Sequence, residues 1–234
     1  MNVDAAAKLD RIYEPQQQRS RDTVERVLQE FVRLLAKKPF EEISMAELAH
    51  RARIAVTSIY ARFENKQALV LAAHERHRNE MIRNIGRLLD PARWEGESIE
   101  TVVHAVMDAI IADWRSRLPL LRAALLINDR EVYERAAQIL RYFSERMAAL
   151  LSPRLTNISD DEREHRIDFA CRAATALLQQ QLLFGDVEPG RFHISEAELS
   201  RRVADQFLAT ISAANSPPAK KSHTLQSRGR TKHV

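Results

Sequence analysis

Apolar residues recur at helical spacing along most of the chain, and the pattern is cut into segments by prolines, glycines and Ser-x-x-Glu starts. From Ser20 to Lys37 the apolar positions are Val24, Val27, Leu28, Phe31, Leu34 and Leu35, one face of a helix that Pro39 ends. Ser44 and Glu47 form a capping pair, so the next helix starts at Met45, with Met45, Leu48, Ala49 and Ala52 as its stripe. The stripe lapses between Ala52 and Ala55 and restarts as Val56, Ile59, Tyr60 and Phe63. Two helices this short are not stable alone in water, so they must pack steeply on their neighbours, as a helix-turn-helix does. Glu64-Asn65-Lys66 then opens a long helix with Leu69, Val70 and Ala73 inward, running to Leu89 until Asp90-Pro91 stops it.

The run Phe40-x-x-Ile43-Ser44-Met45-x-Glu47-Leu48-Ala49, followed by Ile54-x-x-Thr57-Ser58-Ile59-Tyr60-x-x-Phe63-x-Asn65-Lys66-x-x-Leu69, resembles the N-terminal DNA-binding domain of the TetR family of transcriptional repressors. The resemblance covers residues 20–78, with the helix-turn-helix at 44–63. Two positions depart from the family pattern. Arg53 stands where the family usually has a turn glycine, and Ala55 stands where it usually has a serine or another capping residue. The resemblance implies a homodimer with a helical ligand-binding C-terminal domain. Tyr60 and Lys66 match family positions that bind backbone phosphates, and Ser44 matches one at a helix N-terminus, where amide groups attract anions. The second helix of the pair is expected in the major groove, with Val56, Thr57 and Ser58 at base edges and Arg53 on either a base or a phosphate.

The remaining pattern is also helical. A buried helix from Ser98 to Arg117, a break at Pro119 and a short helix to Ile127 come first. A helix capped by Asn128 and Glu131 then runs to Leu151, and Ser159 opens another that ends near Leu183. Gly185, Pro189 and Gly190 make a break, and Ser195 caps a last helix through Leu199, Val203, Phe207 and Ile211. The expected fold is all-α with about nine helices. Residues 1–19 form a flexible leader, 20–78 the DNA-binding domain, 79–213 a helical ligand-binding and dimerisation domain, and 214–234 a disordered basic tail.

Composition agrees with this without deciding it. Hydrophobic residues make up 45% and charged residues 29% of the chain, with only 5 glycines. The formal charge of +4 is misleading, because Lys220, Lys221, Arg228, Arg230 and Lys232 lie in a tail with no acid. That tail is expected to be an inert solubilising end rather than a DNA-binding arm. The local balance is more telling: Arg51, Arg53, Arg62 and Lys66 face only Glu64 between 51 and 66, the basic footprint a phosphate surface requires. The N-terminus is polar, with no signal-peptide pattern, and no apolar run is long enough to span a bilayer, so a cytoplasmic location is expected. Cys171 is alone and reads as a small core residue.

Residues that could form a small-molecule pocket are fewer. His104, Asp108 and Asp113 are polar positions on a mostly apolar helix, either satisfied by neighbours or placed in a pocket. Tyr142, Thr175 and Gln179 are weaker candidates of the same kind. His74 and His77, three apart, read as helix surface, solvated or facing a ligand, and Trp94 and Trp114 as packing residues. No nucleophile elbow, phosphate loop, dinucleotide fingerprint or zinc motif is present, so neither an enzyme nor a metal site nor a cofactor is expected. The sequence therefore points to a homodimeric DNA-binding regulator. It is expected to be a repressor released from a palindromic operator by a hydrophobic or amphipathic effector. The alternative is a regulator with no small-molecule effector, controlled by a protein partner or by abundance.

Overall fold

The structure, a computed structural model, describes residues 3–156, 158–184 and 187–212. Eight α-helices follow one another: α1 (Val3–Leu35), α2 (Met45–Ala52), α3 (Val56–Tyr60), α4 (Lys66–Leu88), α5 (Ile99–Ile127), α6 (Arg130–Leu151), α7 (Asp160–Phe184) and α8 (Glu196–Ser212). Short 3-10 turns stand at Phe40–Glu42, Pro91–Trp94 and Ser152–Arg154. Among the described residues there is no strand. α1 begins at Val3 and takes in most of the stretch expected as a leader. The expected basic tail, 214–234, lies outside the described residues.

The count is one below expectation because Pro119 does not end a helix. α5 runs through it. The proline lacks the N–H that would reach the carbonyl of Arg115, one turn back, but Arg115 is exposed and water can serve that oxygen. Both halves of α5 are buried, Val103, Val106, Met107 and Ile111 on one side of the proline and Leu120, Ala123 and Ala124 on the other. Packing on both sides outweighs the local preference for a break. The start of α6 also differs from expectation. Asn128 closes α5 in the left-handed conformation (φ 53°), and it is Asp129 that caps α6, accepting from the Glu131 N–H at 2.7 Å.

Two apolar cores result. The first gathers Leu28, Phe31 and Leu34 of α1, Leu48 of α2, Ile59 of α3 and Leu69 and Val70 of α4, together with Leu120, Ala123 and Ala124 of α5. The second gathers Ile85 and Leu89 with Val106 and Met107 of α5, Phe143 and Met147 of α6, Ile167 and Cys171 of α7, and Val203 and Phe207 of α8. Cys171 is fully buried, and burial pushes its thiol well above the ordinary range. α4 and α5 contribute to both cores, so neither core is complete without both helices.

Arginines on and after α6 pin α4 in place. Arg135 donates to the Leu71 carbonyl at 2.9 Å and pairs with Glu75 at 2.9 Å. Arg146 donates to the Leu89 carbonyl at 3.0 Å, covering one of the oxygens that a helix end leaves unpaired. Arg154 holds the connection after α4 through the Trp94 and Glu97 carbonyls, at 2.8 and 3.0 Å.

Because α5 is continuous, restoring its missing hydrogen bond should stabilise the protein. Pro119→Ala is expected to raise the unfolding free energy by roughly 1–3 kcal/mol in urea titration. A loss of stability would show that the proline sets a bend that the two cores require.

Candidate nucleic-acid interface and interior cavity

The interface is built from the turn outward. Ser44 caps α2, its Oγ accepting from the Glu47 N–H at 3.1 Å. A hydrogen bond from Lys38 is the main cause that holds the Glu47 carboxyl below its ordinary range. α2 ends at Arg53, whose backbone is left-handed (φ 55°, ψ 48°). The Arg53 N–H donates to the His50 carbonyl at 3.1 Å and the Ile54 N–H to the Ala49 carbonyl at 3.0 Å, the paired bonds of a Schellman ending. Arg53 therefore occupies the conformation a glycine would take, at a cost of about 1 kcal/mol. Ala55 precedes α3 with no side-chain cap, and the Ser58 N–H donates instead to the Ala55 carbonyl at 2.9 Å.

This geometry sorts the expected contact residues. Thr57, Tyr60 and Arg53 are exposed; Ser58 and Val56 are half-buried. Val56 packs partly against the first core, and Ile59 and Phe63 are buried in it. Tyr60, read as part of the inward stripe, points out instead, with 52% of its surface exposed. Arg51 is drawn to Glu30 at 3.5 Å, whereas no ion pair among the described residues holds Arg53 or Arg62.

Lys66, expected on a phosphate, has its Nζ donating in the DNA-free chain to the carbonyls of Phe40, Glu41 and Ile43 at 2.7, 3.1 and 3.0 Å. It also lies 4.4 Å from the centre of the Phe40 ring, which meets Phe31 of α1 edge-on. An ammonium has three donors, and here backbone carbonyls take all three. Lys66 is a clamp that ties the start of α4 to the turn before α2. Asn65 completes that start by capping α4, accepting from the Ala68 N–H at 2.9 Å.

The second feature is a cavity of about 430 Å³ between α4, α5, α6 and α7. Its wall is mostly apolar, with Met81, Ile85, Met107, Leu140 and Phe143 among its residues. Thr175 and Gln179 line it as well. His104, Asp108 and Tyr142 lie elsewhere. His104 faces Asp205 of α8 at 3.5 Å and Asp108 accepts from Ser200 of α8, so both serve the α5–α8 contact. The Tyr142 hydroxyl covers Gly86 of α4, where a Cβ would stand 3.0 Å from it.

Besides Tyr133, Thr175 and Gln179, the polar residues in the cavity wall are His74 and His77 of α4 and Asp113 and Trp114 of α5. The histidines are not helix surface but are 2% and 5% exposed. Four atoms here have no hydrogen-bond partner: His74 Nδ1, His77 Nδ1, Asp113 Oδ2 and Trp114 Nε1. Burial lowers both histidines to about 4, helped by Arg135 beside His74 and Arg117 beside His77. Burial likewise raises the Asp113 carboxyl, against the pull of Arg117. Behind them Arg117 pairs with Glu80 at 2.8 Å. Among the described residues no cluster of His, Cys, Asp and Glu could hold a metal ion, and no helix is long and apolar enough to cross a membrane.

Two measurements check these assignments. Lys66→Met keeps the stem and removes three donors, and should cost about 1–3 kcal/mol of stability in chemical denaturation. An unchanged midpoint would mean that water serves the three carbonyls equally well. The histidines make stability depend on pH. Their ordinary value is 6.5 and their folded value about 4, so the unfolded chain takes up protons that the folded chain refuses. Their contribution is complete above pH 6.5 and is lost as pH falls toward 4, by up to about 1.4 kcal/mol per pH unit for each histidine. The double variant His74→Asn, His77→Asn should flatten stability across that window; an unchanged slope would exclude these two groups as its source.

Comparison with known proteins agrees with the geometry. Residues 28–73 match the family model of bacterial regulatory proteins, tetR family. No curated protein matches the chain. Several solved structures share the fold. One from Mesorhizobium loti MAFF303099, assigned to the TetR-family transcriptional regulators, superposes with a TM-score of 0.63 at 17% identity, over 82% of this chain and 96% of that one. A TetR-family regulator from Streptomyces coelicolor gives 0.60 at 18% identity, over 81% and 80%. The regulator FadR from Bacillus subtilis, in complex with stearoyl-CoA, gives 0.52 at 10% identity, over 81% and 98%. The chain thus carries a helix-turn-helix segment similar to the DNA-binding part of the tetR family of bacterial regulatory proteins, and it shares the fold of solved TetR-family regulators.

Proposed function

We propose that the protein is a cytoplasmic, homodimeric repressor that binds a palindromic operator and is released from it by a small molecule held in the cavity between α4, α5, α6 and α7. The observation that carries the DNA half is the formed turn at Arg53, which leaves Thr57, Tyr60 and the arginines Arg53 and Arg62, neither held in an ion pair among the described residues, exposed beside α3. In this reading Val56, Thr57 and Ser58 meet base edges from the N-terminal part of α3, Arg53 meets a base or a phosphate, and Tyr60 and Ser44 meet phosphates. Lys66 holds α4 against the pair and is also proposed to meet a phosphate on DNA. The dimer is proposed through α7 and α8, two helices that pack on each other and can close a four-helix interface with a second copy. Phe169 of α7, with 63% of its surface exposed, is the kind of residue such an interface would cover.

The effector half rests on where the cavity lies. Its wall includes the middle of α4, the helix that also carries Lys66 and so the helix-turn-helix. A ligand releases DNA only if it prefers the DNA-free arrangement, and such coupling is typically about 1–3 kcal/mol and reciprocal. FadR of Bacillus subtilis, a neighbour in fold, is seen with stearoyl-CoA, which supports an effector-bound regulator as the general type.

Selection of binding fragments from random DNA tests the reading. The enriched sites should be palindromes whose half-sites are about 34–36 Å apart, or a multiple of that. A single asymmetric site would refute a dimer on DNA. Thr57→Ala and Ser58→Ala should change the preferred bases, whereas Tyr60→Phe should weaken binding to all sequences alike, because phosphates carry no sequence information.

A further inference from the structure

Two chains of ion pairs stop at the same small hollow. One starts at Arg51 of α2, which reaches Glu30 of α1 at 3.5 Å, and Glu30 is also paired with Arg33 one turn further along α1. The other starts at Glu25 of α1, which holds Arg76 of α4 at 2.8 Å. Arg76 pairs in turn with Glu80 at 2.9 Å, and Glu80 with Arg117 of α5 at 2.8 Å. Arg33, Arg76, Glu80 and Arg117 all line a hollow of about 200 Å³ between α1, α4 and α5. Gln29 and His77 line it as well, and burial lowers His77 to about 4, so it carries no charge at neutral pH. Three guanidiniums thus share one wall with a single carboxylate. Over both chains, four arginines meet three glutamates, which leaves an excess of one positive charge.

Glu80 holds the two inner arginines together, because both donate to its one carboxylate. A guanidinium has five N–H groups. Arg117 gives Nη2 to Glu80, Arg76 gives Nε to Glu80 and Nη1 to Glu25, and Arg33 gives Nη1 to Glu30. All three therefore keep donors with no protein partner among the described residues. We propose that the hollow is a site for a small oxyanion, a phosphate or a compact carboxylate, held by Arg33, Arg76 and Arg117. Arginine forks match the geometry of such an ion, and hydrogen bonds between charged groups are the strong ones. The volume suits an ion, since pockets for organic ligands start at about 300 Å³. The bound ion joins Arg33 to Arg76 and Arg117 and so fastens α1 to α4 and α5. None of the residues assigned to DNA lines the hollow.

The test is calorimetric titration of inorganic phosphate, and separately of acetate, into the DNA-free full-length protein at neutral pH, with ionic strength held constant by sodium chloride. At least one of the two should bind saturably, once per chain, with a Kd of about 1 mM or tighter. The tighter of them names the ion. Arg33→Gln and Arg117→Gln should each weaken that binding about tenfold or more, the loss expected when a hydrogen bond to a charged group is removed. The double variant Arg53→Gln, Arg62→Gln should bind as the wild type does, because those arginines lie beside α3 and not in the hollow. No saturable binding of either ion would overturn the proposal, as would undiminished binding in Arg33→Gln and Arg117→Gln. Binding lost from the Arg53, Arg62 variant and kept by Arg33→Gln would move the ion to the DNA-reading surface and equally overturn it. Should Arg117→Gln fail to fold, Arg33→Gln, at an exposed position, still decides.

Discussion

α4 has to bury two different apolar stretches in two different cores, and the rest of the structure follows from that constraint. Leu69, Val70 and Ala73 lie in the first core and Ile85 in the second. One 23-residue helix carries both, so the cores cannot shift independently without bending it or sliding it. α5 repeats the arrangement in the opposite order, with Met107 in the second core and Leu120 in the first. Two shared helices make the seam between the cores a stiff, double connection. That explains why Pro119 is tolerated in α5, because each half of the helix is held by a core of its own.

The seam is also where packing is least complete. His74 and His77 occupy the turns of α4 between its two apolar stretches, and Asp113 and Trp114 occupy the matching part of α5. Protein interiors are normally close-packed, with few buried polar groups left unpaired. Here a cavity of about 430 Å³ and four unpaired atoms fall at the same place. The ion pairs Arg117–Glu80 and Arg135–Glu75 border the region and neutralise their own charges, so they hold the helices in position without supplying the cavity with a free cation. Stability given up at one seam is a common property of sites that bind or switch.

What was legible in the sequence was whatever depended on neighbours close along the chain. Ser44 with Glu47, Asn65 with Lys66, and Ser195 with Glu198 all marked real helix starts, because a cap is made within four residues. The helix-turn-helix was readable for the same reason, and Arg53 fits its turn by accepting a left-handed backbone that the side chain itself disfavours. The reading failed or fell short where distant packing decides. Pro119 has the local character of a helix stop, and nothing near it in sequence announces the two cores that hold α5 straight through it. Lys66 matched a phosphate position by sequence, and only the fold adds the three carbonyls from residues 40–43 that its ammonium meets in the DNA-free chain.

The pocket residues show the limit most clearly. His104, Asp108 and Asp113 look alike in sequence, each a polar residue on an apolar helix. Asp108 and His104 turn toward α8 and find Ser200 and Asp205, while Asp113 belongs to the cavity wall and its Oδ2 has no hydrogen-bond partner. The difference is a matter of which helix covers which face of α5, and a helix wrapped by neighbours on several sides does not declare that in its periodicity. His74 and His77 were read as either solvated or facing a ligand, since α4 shows only that they share a face; their burial in the cavity wall removes the solvated alternative. The residues that give the cavity its chemistry are thus fixed by the order in which helices pack around α4 and α5. A change that repacked α6 or α7 against them would alter what the cavity can bind while leaving the helix-turn-helix sequence untouched.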